Sequence, residues 1–443
     1  MPSIFEMIAR SVAKELDRKG DLIPLKSLID ADKFHCCFLV YKRESIFPFL
    51  KPRYYKTGLT VDDLLEAHDE QDCVSAEVKG RKNYGIEKNA EKKMNISLKL
   101  PKGISLEENA DWSKVYDLQL QHFEVSKKGK ESLHHRKLKK EQPSLFQTLK
   151  EKGENLYMVV ETVEMIKEQK VHKTYFLETW FQAVMESIKL YIDASHAITI
   201  PSGSVLAFRT NLLVFEGECC RISYSNDKNS FSLERGSASR SVGQSGEPSQ
   251  PLQNFSDLQK ELMDLKGELQ DLDENQRKNV LDSLVKRLQK SSVKKLEERV
   301  TMALLTEEQD DPEDPVLSIL FNSSGSFMEQ KGDAILGFLQ ALTELKVEQQ
   351  VLLAVAVEKE LLSETMQLVE NILNQTSESE PKPFSLKADS TPHNLVRMCD
   401  PGYLEDKEEL QVTWNSEACH SLCALYTALG VLLLLAQGPN SGF

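Results

Sequence analysis

Residues 225–254 read SNDKNSFSLERGSASRSVGQSGEPSQPLQN, and they divide the chain into two halves with different apolar periods. The stretch is rich in Ser, Gly, Asn, Gln and Pro and nearly devoid of large apolar side chains. It buries too little surface to offset the entropy of ordering it, which predicts a flexible linker. Before it, apolar residues alternate with polar ones. Met94, Ile96, Leu98 and Leu100 alternate with Asn95, Ser97 and Lys99; Tyr116, Leu118 and Leu120 alternate with Asp117, Gln119 and Gln121. Ile188, Leu190 and Ile192 follow the same rule, and the even-numbered set resumes at Ala194, Ile198 and Ile200. A period of two sets one face of a strand against something apolar and the other against water. That describes a half-buried antiparallel sheet and equally strands able to line a membrane barrel. After the linker, Phe255, Leu258, Leu262, Leu265, Leu269 and Leu272 recur at spacings of three and four, the period of a helix. Val280, Leu281, Leu284 and Leu288 continue it, and further helices are expected around 293–305, 333–345, 348–374 and 416–436. The fold class is therefore α+β: a strand-rich α+β domain over 1–224, a connecting segment over 225–254 and an all-α helical bundle over 255–443. Near the start, Ile4, Phe5, Ile8, Val12 and Leu16 form one side of an amphipathic helix that stops by Gly20. A short helical piece at 24–29 and a β-like run at 34–41 are expected next.

Charge is divided as unequally as period. Residues 1–250 carry 38 Lys and Arg against 36 Asp and Glu, a net of +2; residues 251–443 carry 17 against 33, a net of −16. Opposed halves of this kind can dock electrostatically. Met1–Arg10 shows no apolar run after a basic start, which predicts no secretory signal, and no stretch of about 20 apolar residues predicts a membrane-spanning helix. The nearest, 422–436, is interrupted by Tyr426, Thr427 and Gly430 and suits a buried helix better. The eight cysteines are scattered, without CxxC or His spacing for a metal, and read as cytosolic thiols. No phosphate-binding Gly loop, HExxH, GxSxG or EF-hand loop occurs, so no catalytic residue, metal site or cofactor is expected.

Three basic features remain. Arg10 and Lys14 lie on the N-terminal helix. Residues 42–53, KRESIFPFLKPR, set Lys42, Arg43, Lys51 and Arg53 around an apolar tip of Ile46, Phe47, Phe49 and Leu50. Cations meet lipid phosphates while such a tip enters the acyl boundary, although the tip could equally be buried within the same protein. Residues 127–140 end in Arg136, Lys137, Lys139 and Lys140, a run that suits an anionic membrane surface; with no nucleic-acid-binding fold in view, nucleic acid is the second choice of partner. Within the connecting segment, Lys228, Arg235 and Arg240 are candidate sites for a protease of basic specificity. The Arg240–Ser241 bond comes first because small residues surround it in SASRSVGQSG.

GDLIPLKSLIDADKFHCCFLV (20–40), RYYKTGLTVDDLL (53–65), RKLKKEQPSLF (136–146), ENLYMVVETVE (154–164), RKNVLDSLVKRL (277–288) and LCALYTALGVLLLLAQGP (422–439) resemble, in order and spacing, the gasdermin family, and within it the B branch. The resemblance implies an N-terminal pore-forming domain, a cleavable linker and a C-terminal domain that inhibits it, with no enzymatic activity. It implies that the three basic features bind acidic phospholipids, phosphoinositides and cardiolipin-type lipids among them, and that segments near 80–125 and 160–200 become membrane-spanning hairpins. It further implies a granzyme A-type protease acting at Arg240–Ser241 and a homo-oligomer after cleavage. The intact chain is then cytoplasmic and held closed by contact between its own domains, and the cut chain is at the cell membrane. A non-lytic lipid-binding or scaffold protein of the same fold is the alternative.

Overall fold

The computed structural model describes residues 4–17, 20–50, 52–66, 88–99, 104–105, 115–133, 136–174, 195–223, 229–231, 254–290, 292–309, 311–376, 384–385, 390–400, 409–410, 412 and 417–438. The N-terminal half begins with helix α1 (Ile4–Leu16), whose Phe5, Ile8, Ala9 and Val12 are all buried. Asp17 ends it: its carboxylate accepts the backbone N–H of Asp21 and of Leu22, each at 2.9 Å, while Gly20 takes a left-handed φ of 85° that favours glycine. The helical piece expected at 24–29 is not formed. Ile23–Pro24 is instead strand β1, and a 3₁₀ turn occupies Leu28–Lys33. The edge of the strand Val205–Glu216 captures Leu25, whose N–H reaches Leu206 O at 2.8 Å, so pairing outcompetes a helix too short to nucleate alone.

The remaining strands are β2 (Phe38–Arg43), β3 (Arg53–Thr60), β4 (Lys88–Lys99), β5 (Ile104–Ser105), β6 (Val115–Val125), β7 (Leu156–Met165), β8 (Gln169–Thr174), β9 (Ser195–Ile200), β10 (Val205–Glu216) and β11 (Cys219–Ile222). Short helices α2 (Val61–Leu64), α3 (Lys127–Ser132) and α4 (Ser144–Glu151) lie between them. Strand β7 is the axis of the large antiparallel sheet. Strand β10 runs along one side of it, while β2 pairs with its first residues and β6 with its last. Strands β5, β8 and β9 form a separate sheet. The alternation in the sequence is realised in β4 and β6: Met94 faces Leu120, Ile96 faces Leu118 and Leu98 faces Tyr116 in register. Their apolar face shares one core with α1. The alternation expected at 188–192 falls outside the described residues. Ser230 and Phe231, which the sequence places in the connecting segment, are packed into this half. Ser230 donates its N–H to Asn155 Oδ1 at 2.8 Å, and the Phe231 ring stacks 5.2 Å from Phe215.

The C-terminal half contains α5 (Phe255–Leu269), α6 (Glu274–Gln289), α7 (Val293–Thr306), α8 (Pro315–Ser318), α9 (Glu329–Glu344), α10 (Val347–Glu358), α11 (Leu362–Gln375), α12 (Thr391–Arg397) and α13 (Glu417–Gln437). Asn254 caps α5 through the N–H of Asp257, and Asp273 forms a reciprocal cap with Gln276 on α6. The single helix expected over 348–374 is broken in two. Glu360 adopts a left-handed φ of 57°, turning the chain back between α10 and α11. A two-residue ribbon, Phe384–Ser385 with Glu409–Leu410, departs from an all-helical half. Helix α13 is long and apolar enough to span a membrane, but 89% of its apolar window is buried inside the protein. Helices α5 and α13 meet closely at Gly430, where a methyl group would come within 2.5 Å of Leu262.

Candidate functional site

Antiparallel pairing of β2 with β3 brings Arg43 opposite Arg53 and projects residues 44–50 beyond the paired strands as a loop. The loop is locally braced: Phe47 N–H donates to Ser45 Oγ at 3.2 Å and Leu50 N–H to Phe47 O at 3.0 Å. Phe47 is fully buried and Leu50 nearly so, and both belong to the core of the C-terminal half rather than to that of their own half. Ile46 and Phe49 pack half-buried beside them. Each large apolar side chain removed from water contributes roughly 2 kcal/mol, so the tip is a strong contact before any charge is considered. Its socket exists because residue 337 has no side chain. A methyl group there would lie 2.3 Å from Ile46 Cδ1 and 3.3 Å from Phe47 Cε2.

One stripe of α9 receives the whole hairpin. Asp333, Gly337, Gln340 and Glu344 recur at helical spacing, and each meets a successive part of it. Arg43 Nη2 donates to Asp333 Oδ1 at 2.6 Å. Arg53, buried, donates to Glu297 Oε2 at 2.5 Å, Thr343 Oγ1 at 2.7 Å, Gln340 O at 2.9 Å and Glu344 Oε1 at 2.8 Å. The same oxygen of Glu344 accepts from Lys26 Nζ at 2.8 Å, and Tyr55 OH donates to Glu297 Oε1 at 2.8 Å. Burial alone would raise the pKa of Glu344, but Lys26 and Arg53 outweigh it and hold the carboxyl down at about 2. Glu297 is lowered in the same way, by Arg53 against burial. Lys26 is lowered, first by burial and then by the neighbouring Arg53. Paired charges of this kind fix register more than they add affinity, because desolvation offsets most of their attraction.

A second contact lies at the other end of α7. Lys152 Nζ donates to Leu304 O and to Glu307, each at 2.8 Å, closing the carboxyl end of that helix. Leu305 is fully buried among residues of the strand-rich half, with Leu149 of α4 and Leu156. The halves thus exchange knobs: the hairpin tip enters one core and Leu305 the other. Asp30 bridges Lys56 and, at 3.5 Å, Lys294 of α7.

The remaining residues named from the sequence are placed differently. Lys42 pairs with its neighbour Glu44 at 2.5 Å. Arg10 is exposed and paired with Glu6 at 2.7 Å, and Lys14 is exposed on the same helix. Arg136 does not lie on the surface patch expected of it. It is buried, donating to Asp62 at 2.7 Å and to Glu66 O at 2.8 Å, so it ties α2 to the segment that follows α3 within the strand-rich half. Lys137, Lys139 and Lys140 are exposed. Lys51, Lys228, Arg235, Arg240 and Ser241 lie outside the described residues. Sequence reading missed Lys26, Tyr55, Lys152 and the α9 stripe. Asp333 and Glu344 three helical turns apart, with Gly337 between them, was the one legible signal. Among the described residues no cluster of His, Cys, Asp and Glu could hold a metal ion.

The family model for the gasdermin pore forming domain matches residues 4–234, and that for the gasdermin PUB domain matches residues 254–392. The chain belongs to the gasdermin family. It is similar over nearly its full length to gasdermin-A2 of Mus musculus, with 30% identity covering 98% of this chain and 99% of the relative. Gasdermin-A of Homo sapiens is 28% identical over 98% of this chain and 99% of its own, and gasdermin-D of Homo sapiens 26% over 99% and 100%. A cryo-EM structure of the gasdermin A3 membrane pore aligns with a TM-score of 0.33 and 25% identity, over 52% of this chain and 97% of that one. These likenesses do not confirm a place nearest the B branch. Gasdermins are pore-forming effectors, not enzymes, and this chain has the strand-rich and helical halves of the family.

Proposed function

We propose that the chain is the closed precursor of a membrane pore-former, held by its helical half and opened by proteolysis between the two. The observation that carries this reading is the burial of Phe47 and Leu50 in the core of the C-terminal half. Such a tip, ringed by Arg43 and Arg53, suits a membrane interface, and here both its apolar and its charged groups are engaged by the partner half. Released, the N-terminal half binds acidic phospholipids, phosphoinositides and cardiolipin-type lipids among them, through this hairpin, Arg10 and Lys14 of α1, and Lys137, Lys139 and Lys140. It then assembles as a homo-oligomer and inserts the 80–125 and 160–200 segments as a β-barrel, the lytic step of an innate defence. The intact protein is cytoplasmic and the released half is at the cell membrane.

The bond to be cut is Arg240–Ser241, by a protease of tryptic specificity such as a granzyme A type. Residues 235–253 belong to neither family match, so cleavage there severs no matched domain. Lys228 is the poorer site, because Ser230 and Phe231 just beyond it are packed into the strand-rich half. The test is dye release from vesicles containing acidic lipid. Uncut protein should leave them sealed, protein cut at residue 240 should empty them, and Arg240→Gln should keep them sealed in the presence of the protease. Binding without leakage after a complete cut would favour the scaffold alternative.

A further inference from the structure

Residues 136–142 tie together the two ends of the 80–125 segment. The chain runs into that segment after Glu66, just past α2, and returns from it through β6 and α3. Backbone pairing joins the ends. Glu66 N–H donates to Lys137 O and Lys139 N–H to Leu64 O, each at 2.8 Å, while Leu138 N–H donates to Glu218 O at 2.8 Å on the other side. Leu65 and Leu138 face each other across this short antiparallel ladder. Side chains then close the carbonyl end of α2, whose last C=O groups have no partner inside the helix. Arg136 Nε donates to Glu66 O at 2.8 Å and Nη2 to Asp62 Oδ1 at 2.7 Å, with Leu65 O at 3.5 Å. Lys139 Nζ donates to Asp62 O at 2.6 Å and Gln142 Nε2 to Leu64 O at 3.3 Å. Beneath them Leu64, Leu65, Val125 and Leu133 share one core, and Ser126 Oγ caps α3 by accepting Gly129 N–H at 2.8 Å. The Arg136 side chain is only 4% exposed, whereas its neighbour Lys137 is 64% exposed. Its fork is taken up by oxygens of its own half and is turned away from the surface that the neighbouring lysines form.

We propose that Arg136 is a positioning residue for membrane insertion and not a lipid ligand: it holds the root of the 80–125 hairpin closed, so that the hairpin pivots about Glu66 and Ser126 and enters the bilayer with its two arms side by side. This rests on the reading that the 80–125 segment inserts. Holding the ends of so long a loop together has an entropic cost, which the ladder, the Arg136 fork and the Lys139 and Gln142 bonds offset jointly. With the root open, the released half still reaches the membrane through its exposed lysines, but the arms of the hairpin separate.

The experiment uses the full chain cut between residues 240 and 241 on vesicles of phosphatidylcholine and phosphatidylserine. Bound protein is read by co-sedimentation and leakage by dye release. Arg136→Lys keeps the charge but not the fork. It should bind as the unmutated protein does and leak about tenfold less per bound molecule, the worth of lost hydrogen bonds to a charged group. Leu65 and Leu138 form a non-hydrogen-bonded antiparallel pair, which brings their Cα atoms close enough for a disulfide. Leu65→Cys with Leu138→Cys, added to Arg136→Lys and closed with diamide, should restore leakage, and dithiothreitol should abolish it again. Diamide on Arg136→Lys alone should restore nothing. General loss of folding cannot imitate a rescue by closing the root. Leakage per bound molecule that Arg136→Lys leaves unchanged overturns the proposal, and reduced binding at unchanged leakage per bound molecule makes Arg136 a lipid ligand instead. A disulfide that forms without restoring leakage also overturns it. Binding of the unmutated cut protein without any leakage overturns the insertion reading itself, and the positioning role with it.

Discussion

At Gly337 a single missing methyl group decides whether the halves fit. Alanine there should act in two directions. It would strengthen α9 by up to about 1 kcal/mol, since glycine is a poor helix residue. It would also force Ile46 to move, an overpacking that costs about 1–3 kcal/mol at the interface. Gly337→Ala should therefore raise the melting temperature of the helical half while the cut halves separate more readily in size-exclusion chromatography. A higher melting temperature with the halves held as tightly as before would show that the socket relaxes around the methyl group. Glu344 sets the acid limit of the same contact. Its carboxyl is held at about 2 in the closed chain and returns towards the ordinary 4.5 when Lys26 and Arg53 depart. A depressed carboxyl stabilises the contact fully above the higher value, and that stability is lost as pH falls from there towards about 2. The cut complex should stay paired at pH 5.5 and come apart below about pH 4, followed by light scattering; dissociation already at pH 6 would mean that another group controls the contact.

Elements, rather than single residues, explain why two contacts are used. The β2–β3 hairpin lies along α9, and Leu305 at the end of α7 enters the strand-rich core near α4. Truncating Leu305 removes a fully buried side chain and should cost about 2–5 kcal/mol, measured as a higher dissociation constant of the cut halves, with the hairpin contact still intact. An unchanged constant would make Leu305 a bystander. Phe47→Ser removes the other knob, and because the two contacts share no side chain, their effects should add to within a few tenths of a kcal/mol. Marked departure from additivity would show that the halves yield as one rigid surface.

Over the whole molecule, a net of +2 faces a net of −16, which suggests a contact governed by bulk charge. The interface argues otherwise. Its ion pairs are buried around Arg53 and Glu297, and its tip is apolar, so screening by salt reaches little of it. The cut halves should remain paired in 0.5 M NaCl in analytical ultracentrifugation, whereas first contact of the released half with an anionic membrane should weaken as salt rises. Release of the halves by salt alone would return control to the net charges.

What could be read without a structure followed from periodicity and composition. The alternation in β4 and β6, the stripe from Phe255 to Leu272, the start of α1 and the break between the halves are local patterns, and a period of two or of 3.6 is visible one residue at a time. The basic hairpin with its apolar tip was legible for the same reason, but its destination was left open between membrane and protein. Tertiary structure decided that destination. It placed Phe47 against Gly337, Arg53 between Glu297 and Glu344 and Lys26 beside them, partners hundreds of positions apart. It also buried Arg136 against Asp62, where a run of basic residues looks uniformly exposed. Sequence spacing reports which face of an element is apolar; which other element covers that face depends on the packing of the entire chain.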